Sequence, residues 1–461
     1  MRRTVFSEQW WVLATAPQKL HEMGAGASLT ATLSEETSNA ISKLPEESRT
    51  LLTTGTVGTI SDEMKTALAL LPEAARKELE EKYATAKPPK QMPTFPCEQP
   101  MRVMMLEKFL TLDMLLRSDA ADGHLRNVDG TEEFAAIIFI SHSWWHRPEP
   151  PAEAAPDRPD NLKFSTLCKG LQALVEREKL DASRVALWCD WFSIDQVDAE
   201  KKAAGVRSMI HYTTRCSHML IPVPSKAVVN NDYVDGEDPD DYAAYYPEDV
   251  ADYGSRGWCR VEYFLFGLYS EMRDGAMDGA SPLKLFAVGG SGELQQFKVV
   301  EFLGGDRGDM PSQGAFSFES DRESIVELES KMISAFGHAV IRNAADSGEP
   351  TVDLGAKMLR DEHLPTLRKA IEEGKFKSAT TLSLNACPEI TTMPDLNGMD
   401  SLRTLTLINA HSLQSLPDLS ALPALKVVKL ENCDKLKELP KLPAEVTWDA
   451  CNVPEHLKGA L

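Results

Sequence analysis

The chain has 461 residues, of which 43% are hydrophobic and 26% charged, and its 49 Lys and Arg against 70 Asp and Glu give a net charge of −21. This composition is that of a globular protein and excludes collagen-like, coiled-coil and low-complexity chains. The acidic balance repels phosphate backbones and anionic headgroups, so we expect no nucleic-acid and no membrane partner. No apolar run approaches the ~20 residues that cross a bilayer, and we expect a cytoplasmic protein. Eight cysteines without C-x-x-C spacing predict reduced thiols and no metal centre.

The first ninety residues contain a helical repeat. Leu33-Ser-Glu-Glu and the following Leu44-Pro-Glu-Glu recur 27 residues later as Ile60-Ser-Asp-Glu and Leu71-Pro-Glu-Ala. Serine before acidic residues is typical of a helix N-cap, and proline favours the first turn. The pattern predicts a helical repeat module over 1–90 that packs on itself or on a partner. A proline-rich stretch over 86–96 predicts a boundary near residue 90, and 91–133 are expected to form a linker and a helix.

Residues 134–290 alternate short apolar runs with amphipathic segments, which is typical of an α/β fold. The apolar runs predict strands at Ala136–Ser141, Val185–Cys189, His218–Val223 and Leu283–Val288. The amphipathic segments predict helices at Leu162–Lys179, Ala199–Thr214 and Trp258–Glu271. We therefore expect a flavodoxin-like parallel sheet that collects ligands at the carboxyl ends of its strands, followed by an α/β connector over 291–349.

The C-terminal segment, 350–461, repeats with a period of 23 residues. Leu382-Ser-Leu384, Leu405-Thr-Leu407 and Val428-Lys-Leu430 align, as do Pro394, Pro417 and Pro440. Each L-x-L step predicts a strand with buried leucines, and the array resembles a leucine-rich repeat domain. A short array of this kind is expected to bind an unidentified protein ligand rather than to catalyse a reaction.

Three strings of polar and aromatic residues follow or precede the predicted elements. They are Ile140-Ser-His-Ser-Trp-Trp145, Trp188-Cys-Asp-Trp-Phe-Ser-Ile-Asp-Gln196 and Arg256-Gly-Trp-Cys-Arg-Val-Glu262. With these strings the stretch 134–290 resembles the Toll/interleukin receptor (TIR) domain family, in which F-I-S-x follows the first strand and W-C-x-x-E opens a helix. The second string is also similar to the heterokaryon incompatibility domain, a relative of that family.

The resemblance implies that Glu262 is the catalytic residue of an NAD⁺ nucleosidase, with NAD⁺ as substrate and no further cofactor. The nicotinamide of NAD⁺ is a cationic leaving group, so bond cleavage needs an anion beside an oxocarbenium-like centre rather than a general acid. Trp258 lies four residues before Glu262 and is expected to share its helix face. The remaining candidate substrate-binding residues are Ser141, His142, Trp144, Asp190 and Ser193.

The family's R-G-x-D-x-R string after the first strand is replaced here by Trp144-Trp-His-Arg-Pro148. The resemblance further implies signalling or innate immunity, with self-association through the TIR-like domain and the helical repeats. A Walker A string is missing, which excludes the nucleotide-driven assembly switch of plant receptors. Two alternatives stay open: a TIR-type signalling scaffold without turnover, in which Trp258 anchors the helix and Glu262 forms a surface pair, and another N-ribosyl hydrolase.

Overall fold

A computed structural model of the protein describes residues 34–461 apart from 47, 50–51, 53–61, 86–91, 129, 131–133, 146–154, 225–252, 275–282, 298–309, 444 and 461. The chain divides into two compact units, residues 1–90 and 91–461. Because the described residues begin at 34 and have gaps up to residue 61, much of the predicted N-terminal repeat lies outside them. No helix in the described part of the chain is long and apolar enough to cross a membrane.

The first unit contains short helices: α1 (Glu35–Ser42), α2 (Asp62–Leu68) and α3 (Glu73–Thr85). Ser34 caps α1, as its place before two acidic residues predicts, and its hydroxyl accepts the Thr37 N–H at 3.2 Å. Glu78 of α3 accepts hydrogen bonds from the Ser34 N–H at 2.8 Å and from the Thr37 hydroxyl at 2.5 Å, which joins the two helices. Their small apolar core is made of Ile41, Leu52, Met64, Ala67, Leu68, Leu71, Ala75 and Leu79.

The second unit contains a seven-stranded sheet in the order β2-β1-β4-β3-β5-β6-β7. The strands are β1 (Arg102–Met105), β2 (Leu125–Asn127), β3 (Ala136–Ile140), β4 (Val185–Trp188), β5 (His218–Pro222), β6 (Lys284–Val288) and β7 (Leu294–Phe297). The four central strands are parallel, whereas β1, β2 and β7 pair antiparallel at the edges. The α/β class with a largely parallel sheet is thus confirmed, and its central order β4-β3-β5-β6 is that of doubly wound sheets.

The central strands are apolar apart from His218 and Lys284, which begin β5 and β6, because both faces of the sheet are covered. Ile137 and Phe139 of β3 enter one core, and Ile138 and Ile140 enter the core on the opposite face. The covering helices are α4 (Leu106–Phe109), α5 (Ser118–Ala121), α6 (Leu162–Glu178), α7 (Asp190–Ser193), α8 (Ala199–Arg207), α9 (Met209–Arg215), α10 (Gly257–Asp274) and α11 (Asp321–Ser347). Helix α6 packs on the second face, and α9, α10 and α11 pack on the first.

Two features differ from the sequence-based expectation. The helix predicted over Ala199–Thr214 is two helices, which meet at Ser208. Its hydroxyl accepts the N–H groups of Glu98 and Gln99 at 2.8 and 3.2 Å, so the side chain is committed to a neighbouring segment where the helix breaks. The linker over 91–133 and the connector over 291–349 also contribute edge strands, β1, β2 and β7, to the sheet. These strands have three or four residues, too few to show a periodicity.

The C-terminal repeats form a second, five-stranded parallel sheet in the order β12-β11-β10-β9-β8. Its strands are β8 (Thr351–Asp353), β9 (Thr381–Ser383), β10 (Thr404–Ile408), β11 (Val427–Glu431) and β12 (Thr447–Cys451). Leu405 lies opposite Leu382 on one side and Val428 on the other, the residues that the 23-residue period aligns. The leucines of these rows are buried together with α12 (Leu364–Glu372).

Helix α11 belongs to both cores of the second unit. Its first part, with Ile325, Met332 and Phe336, packs in the core of the seven-stranded sheet. Its last part, with Ile341 and Ala345, packs in the core of the repeat array. One continuous helix thereby connects the two sheets.

Candidate functional site

The residues singled out from the sequence meet at one edge of the seven-stranded sheet. Ser141 and His142 follow β3, and Asp190 follows β4, which lies beside β3 in parallel. The carboxyl ends of parallel neighbours lie at the same edge, where α/β proteins bind ligands. Glu262 reaches this edge from the first half of α10.

Glu262 is buried, with 5% of its surface exposed, and takes part in a chain of oxygen atoms. Its Oε2 forms a short hydrogen bond with the Ser141 hydroxyl, which lies 2.5 Å from the Tyr253 hydroxyl. Tyr253 in turn donates to the carbonyl oxygen of Cys259 at 3.2 Å. Ser141 donates to Glu262, so the side chains of Glu262, Ser141 and Tyr253 form one buried hydrogen-bonded group.

Electrostatics favour the neutral form of Glu262. Burial raises the pKa of the Glu262 carboxyl well above its ordinary value of 4.5, and the negative charge of Asp190 raises the pKa further. The hydrogen bond from Ser141 opposes this shift but is the smaller effect. The two carboxyl groups at this edge are thus shifted apart, because the pKa of Glu262 is raised and that of Asp190 is lowered.

Asp190 is the anion of the site. Burial alone raises the pKa of its carboxyl group, but the hydrogen bond and charge of His142, the Trp191 N–H and the Cys189 thiol outweigh burial and lower the pKa overall. The three donors all meet Oδ1, with His142 Nε2 at 3.1 Å, the Trp191 nitrogen at 2.7 Å and the Cys189 sulfur at 3.6 Å. The side chain is 39% exposed, so it is accessible to a ligand.

Lys163, at the start of α6, is a site residue that the sequence analysis missed. Its residue surface is fully buried. Its Nζ lies 3.1 Å from His142 Nδ1 and donates to the Ser143 carbonyl at 2.6 Å and to the Pro156 carbonyl. Burial lowers the pKa of Lys163 to about 7. The spacing in the sequence could have indicated this burial. Lys163 lies four residues before Leu167 and eight before Leu171, in line with the apolar face of the helix.

His142 links Lys163 to Asp190. Burial and the adjacent Lys163 charge lower the pKa of the His142 imidazole, against the opposing effect of Asp190, so the ring is neutral at neutral pH. Ser141 and His142 do not pair with each other, because they contact Glu262 and Asp190 respectively. This arrangement agrees with the alternation of side chains along an extended strand.

The other predicted site residues lie around this centre in different roles. The Trp144 and Trp191 rings contact edge to face at 5.7 Å, each partly exposed. Ser193 is buried, and its hydroxyl accepts the Cys189 N–H at 3.3 Å, which stabilises the turn that presents Asp190. Trp258 donates its indole N–H to Asp321 of α11 at 2.8 Å, so its polar atom is committed to another helix.

His142, Cys189 and Asp190 bring three potential metal-ligand atoms within 4.8 Å of one another, and no other such group occurs in the described part of the chain. The donor set does not fit a bound metal ion. The Cys189 thiol, whose pKa is raised by burial, already donates to Asp190 Oδ1 at 3.6 Å. Lys163 also donates to the second nitrogen of His142, where a metal-bound histidine itself donates.

Comparisons with protein-family models, with curated proteins and with solved structures find no match for this chain. The assignment of a function accordingly depends on the motifs and on the geometry of this site.

Proposed function

We propose that this chain is a TIR-like NAD⁺ nucleosidase, in which Glu262 stabilises the transition state and Asp190 binds the ribose. The observation that carries the proposal is the convergence of Glu262, Ser141 and Asp190 at the carboxyl ends of two parallel strands. A buried carboxyl group with a raised pKa at such an edge is a common feature of active sites.

The proposed reaction breaks the bond between ribose C1′ and the nicotinamide nitrogen. The bonding electron pair goes to the ring nitrogen and yields neutral nicotinamide, while water adds its oxygen to C1′ and releases a proton. ADP-ribose is the second product. The pyridinium cation of the substrate favours an ionised neighbour, so its arrival beside Glu262 opposes the effect of Asp190 and promotes loss of the Glu262 proton. The carboxylate then stabilises the oxocarbenium-like centre.

The direct test is incubation of the purified chain with NAD⁺ and quantification of nicotinamide. Glu262→Gln retains the size and hydrogen-bonding capacity of the side chain but lacks the negative charge, so we expect turnover to fall by about a hundredfold or more. Glu271→Gln is the matched control, because Glu271 is a buried carboxylate on the same helix that pairs with Lys357 at 2.7 Å. Equal rates for wild type and Glu262→Gln would contradict the proposal.

A signalling scaffold without turnover is the second candidate. The surface pair expected for Glu262 in this alternative is wrong, because Glu262 is buried and its partner is Ser141. A carboxyl group that is hydrogen-bonded inside the protein also serves a structural purpose, and this favours the scaffold. In that case no nicotinamide is released at any protein concentration, and Glu262→Gln changes stability only.

The flanking parts supply assembly and recognition in this proposal. The C-terminal array, interpreted as leucine-rich repeats, binds a protein ligand, and residues 1–90 together with the TIR-like domain self-associate. The protein then acts in cytoplasmic signalling or defence, where association increases NAD⁺ cleavage.

A further inference from the structure

We infer that Lys163 is a positioning residue that acts through His142 to orient Asp190, leaving one oxygen of Asp190 for a hydroxyl-bearing ligand such as the ribose diol. The assignment of that ligand rests on the proposed function, whereas the hydrogen-bond relay itself does not. The relay runs from Lys163 Nζ to His142 Nδ1 and from His142 Nε2 to Asp190 Oδ1, each step at 3.1 Å.

The number of protons on Lys163 determines which nitrogen of His142 is protonated. An ammonium group has three N–H donors and no acceptor, and Lys163 faces three acceptors: His142 Nδ1 and the carbonyl oxygens of Ser143 and Pro156. Every donor is therefore used inside the protein. Nδ1 of His142 must carry a lone pair rather than a proton.

The imidazole ring of His142 therefore adopts one tautomer. A neutral histidine carries one proton, and because Nδ1 accepts from Lys163, this proton is on Nε2. Nε2 then donates to Asp190 Oδ1. A contact of 3.4 Å between Nδ1 and the Ser143 carbonyl would need the opposite tautomer, and it is longer than either hydrogen bond of the relay. Lys163 thus selects the tautomer that donates to Asp190.

The two carboxylate oxygens of Asp190 have different surroundings. Oδ1 is held by His142, by the Trp191 N–H and by the Cys189 thiol. Within the described ranges no donor contacts Oδ2, although the side chain is 39% exposed. A carboxylate fixed through one oxygen and open at the other is suited to accept hydrogen bonds from neighbouring hydroxyl groups of a sugar.

The tautomer is measured directly in the wild-type protein. Histidine labelled with ¹⁵N is incorporated, and the His142 signal is assigned by its loss in His142→Gln. Below the pKa of Lys163, about 7, we expect a proton on Nε2 and an unprotonated Nδ1 with the shift of a hydrogen-bond acceptor. A proton on Nδ1 in the wild type overturns the inference, whether or not the protein cleaves NAD⁺.

The second measurement uses Lys163→Met, which retains the length of the side chain and removes the donor. We expect the His142 signal to lose the Nε2–H pattern and the KM for NAD⁺ to rise roughly tenfold with little change in kcat, because Asp190 serves binding. Lys169→Met is the matched control, since Lys169 is an exposed residue of the same helix that donates to the Gly290 carbonyl at 2.7 Å.

The outcomes separate the two proposals. The Nε2–H tautomer in a protein that releases no nicotinamide supports the relay and contradicts the proposed function. Nicotinamide release with an unchanged His142 signal in Lys163→Met overturns the relay alone. A fall in kcat at constant KM also overturns it, because Lys163 would then act on the chemical step. Should Lys163→Met fail to fold, the wild-type tautomer still decides.

Discussion

Four ionisable side chains meet at the sheet edge, and their surroundings shift their pKa values in different directions. Burial and the negative charge of Asp190 raise the pKa of Glu262, whereas His142, the Trp191 N–H and the Cys189 thiol lower the pKa of Asp190. His142 is neutral beside the buried Lys163. Two carboxyl groups whose surroundings shift their pKa values in opposite directions are the arrangement from which acid–base roles are assigned in enzymes.

The raised pKa of Glu262 predicts the pH dependence of turnover. If the ionised form is the active one, kcat/KM rises with pH through the folded-state pKa of Glu262, above the ordinary value of 4.5. The measurement is the initial rate of nicotinamide release across the acid range. An acid limb at or below the ordinary value would contradict the role of Glu262.

The same shift predicts the pH dependence of stability. The folded-state pKa is raised, so the neutral form stabilises the fold fully below 4.5 and this contribution is lost as pH rises through the folded-state pKa. Glu262→Gln is always neutral and should lack this loss. Thermal unfolding of both proteins from acid to alkaline pH checks it: the Tm of wild type relative to Glu262→Gln should fall as pH rises, and a constant difference would refute the assignment.

Among the candidate site residues, those that belong to a local sequence pattern could be predicted from the sequence. Ser141, His142 and Asp190 directly follow apolar strands, and Glu262 belongs to the W-C-x-x-E string. Lys163 escaped prediction because a lysine at the start of an amphipathic helix is most often a solvated residue, and only the tertiary structure places its amine on His142.

At the scale of elements, the repeat array depends on rows of buried leucines. Leu407 lies opposite Leu430 and is 1% exposed, so Leu407→Ala should lower the free energy of unfolding by about 2 to 5 kcal/mol. We expect the segment after residue 350 to become protease-sensitive first. Thr406→Ala is the control, because Thr406 is the neighbouring, partly exposed residue of the same strand.

Helix α11, which packs in both cores, determines whether unfolding of the repeat array spreads to the seven-stranded sheet. If limited proteolysis of Leu407→Ala instead cleaves both sheets at the same rate, the array and the seven-stranded sheet unfold as one cooperative unit through α11. Cleavage confined to the segment after 350 would mean that the part of α11 in the array core opens on its own.

Gly337 of α11 lies where this helix meets the segment before α12. A Cβ atom at Gly337 would approach the ring of the fully buried His363 to 2.5 Å. Gly337→Ala therefore forces a displacement of the ring or the helix and should cost about 1 to 3 kcal/mol, although alanine is the better helix former. Denaturant unfolding measures the cost. A more stable variant would show that the helix propensity outweighs the clash.

The edge strands show why sequence patterns resolve some elements and not others. The central strands were predicted within one or two residues because both their faces are buried, which gives continuous apolar runs. β1, β2 and β7 are short and belong to segments whose strand character arises only from pairing with a neighbour.

At the scale of the whole molecule, the two compact units differ in the size of their cores. The second unit contains two covered sheets, whereas the described core of the first consists of a few side chains from short helices. Leu70 in the first unit is 56% exposed. Small helical units with exposed apolar side chains are commonly completed by a neighbouring copy, which is the basis for expecting residues 1–90 to promote association.

Association predicts a rate that depends on protein concentration. If a neighbouring copy rearranges the segment over 191–205, which contains most of α7 and α8 and was predicted as a loop, the specific activity of the full chain should rise with concentration, because the fraction of associated protein rises by mass action. Removal of residues 1–90 should lower the specific activity in dilute solution, and artificial dimerisation of the shortened chain should restore it. Nicotinamide release and light scattering over the same concentration series measure rate and mass together. A constant specific activity for both proteins, with both monomeric throughout, would remove association from the mechanism, because a preformed site works equally well in every isolated copy.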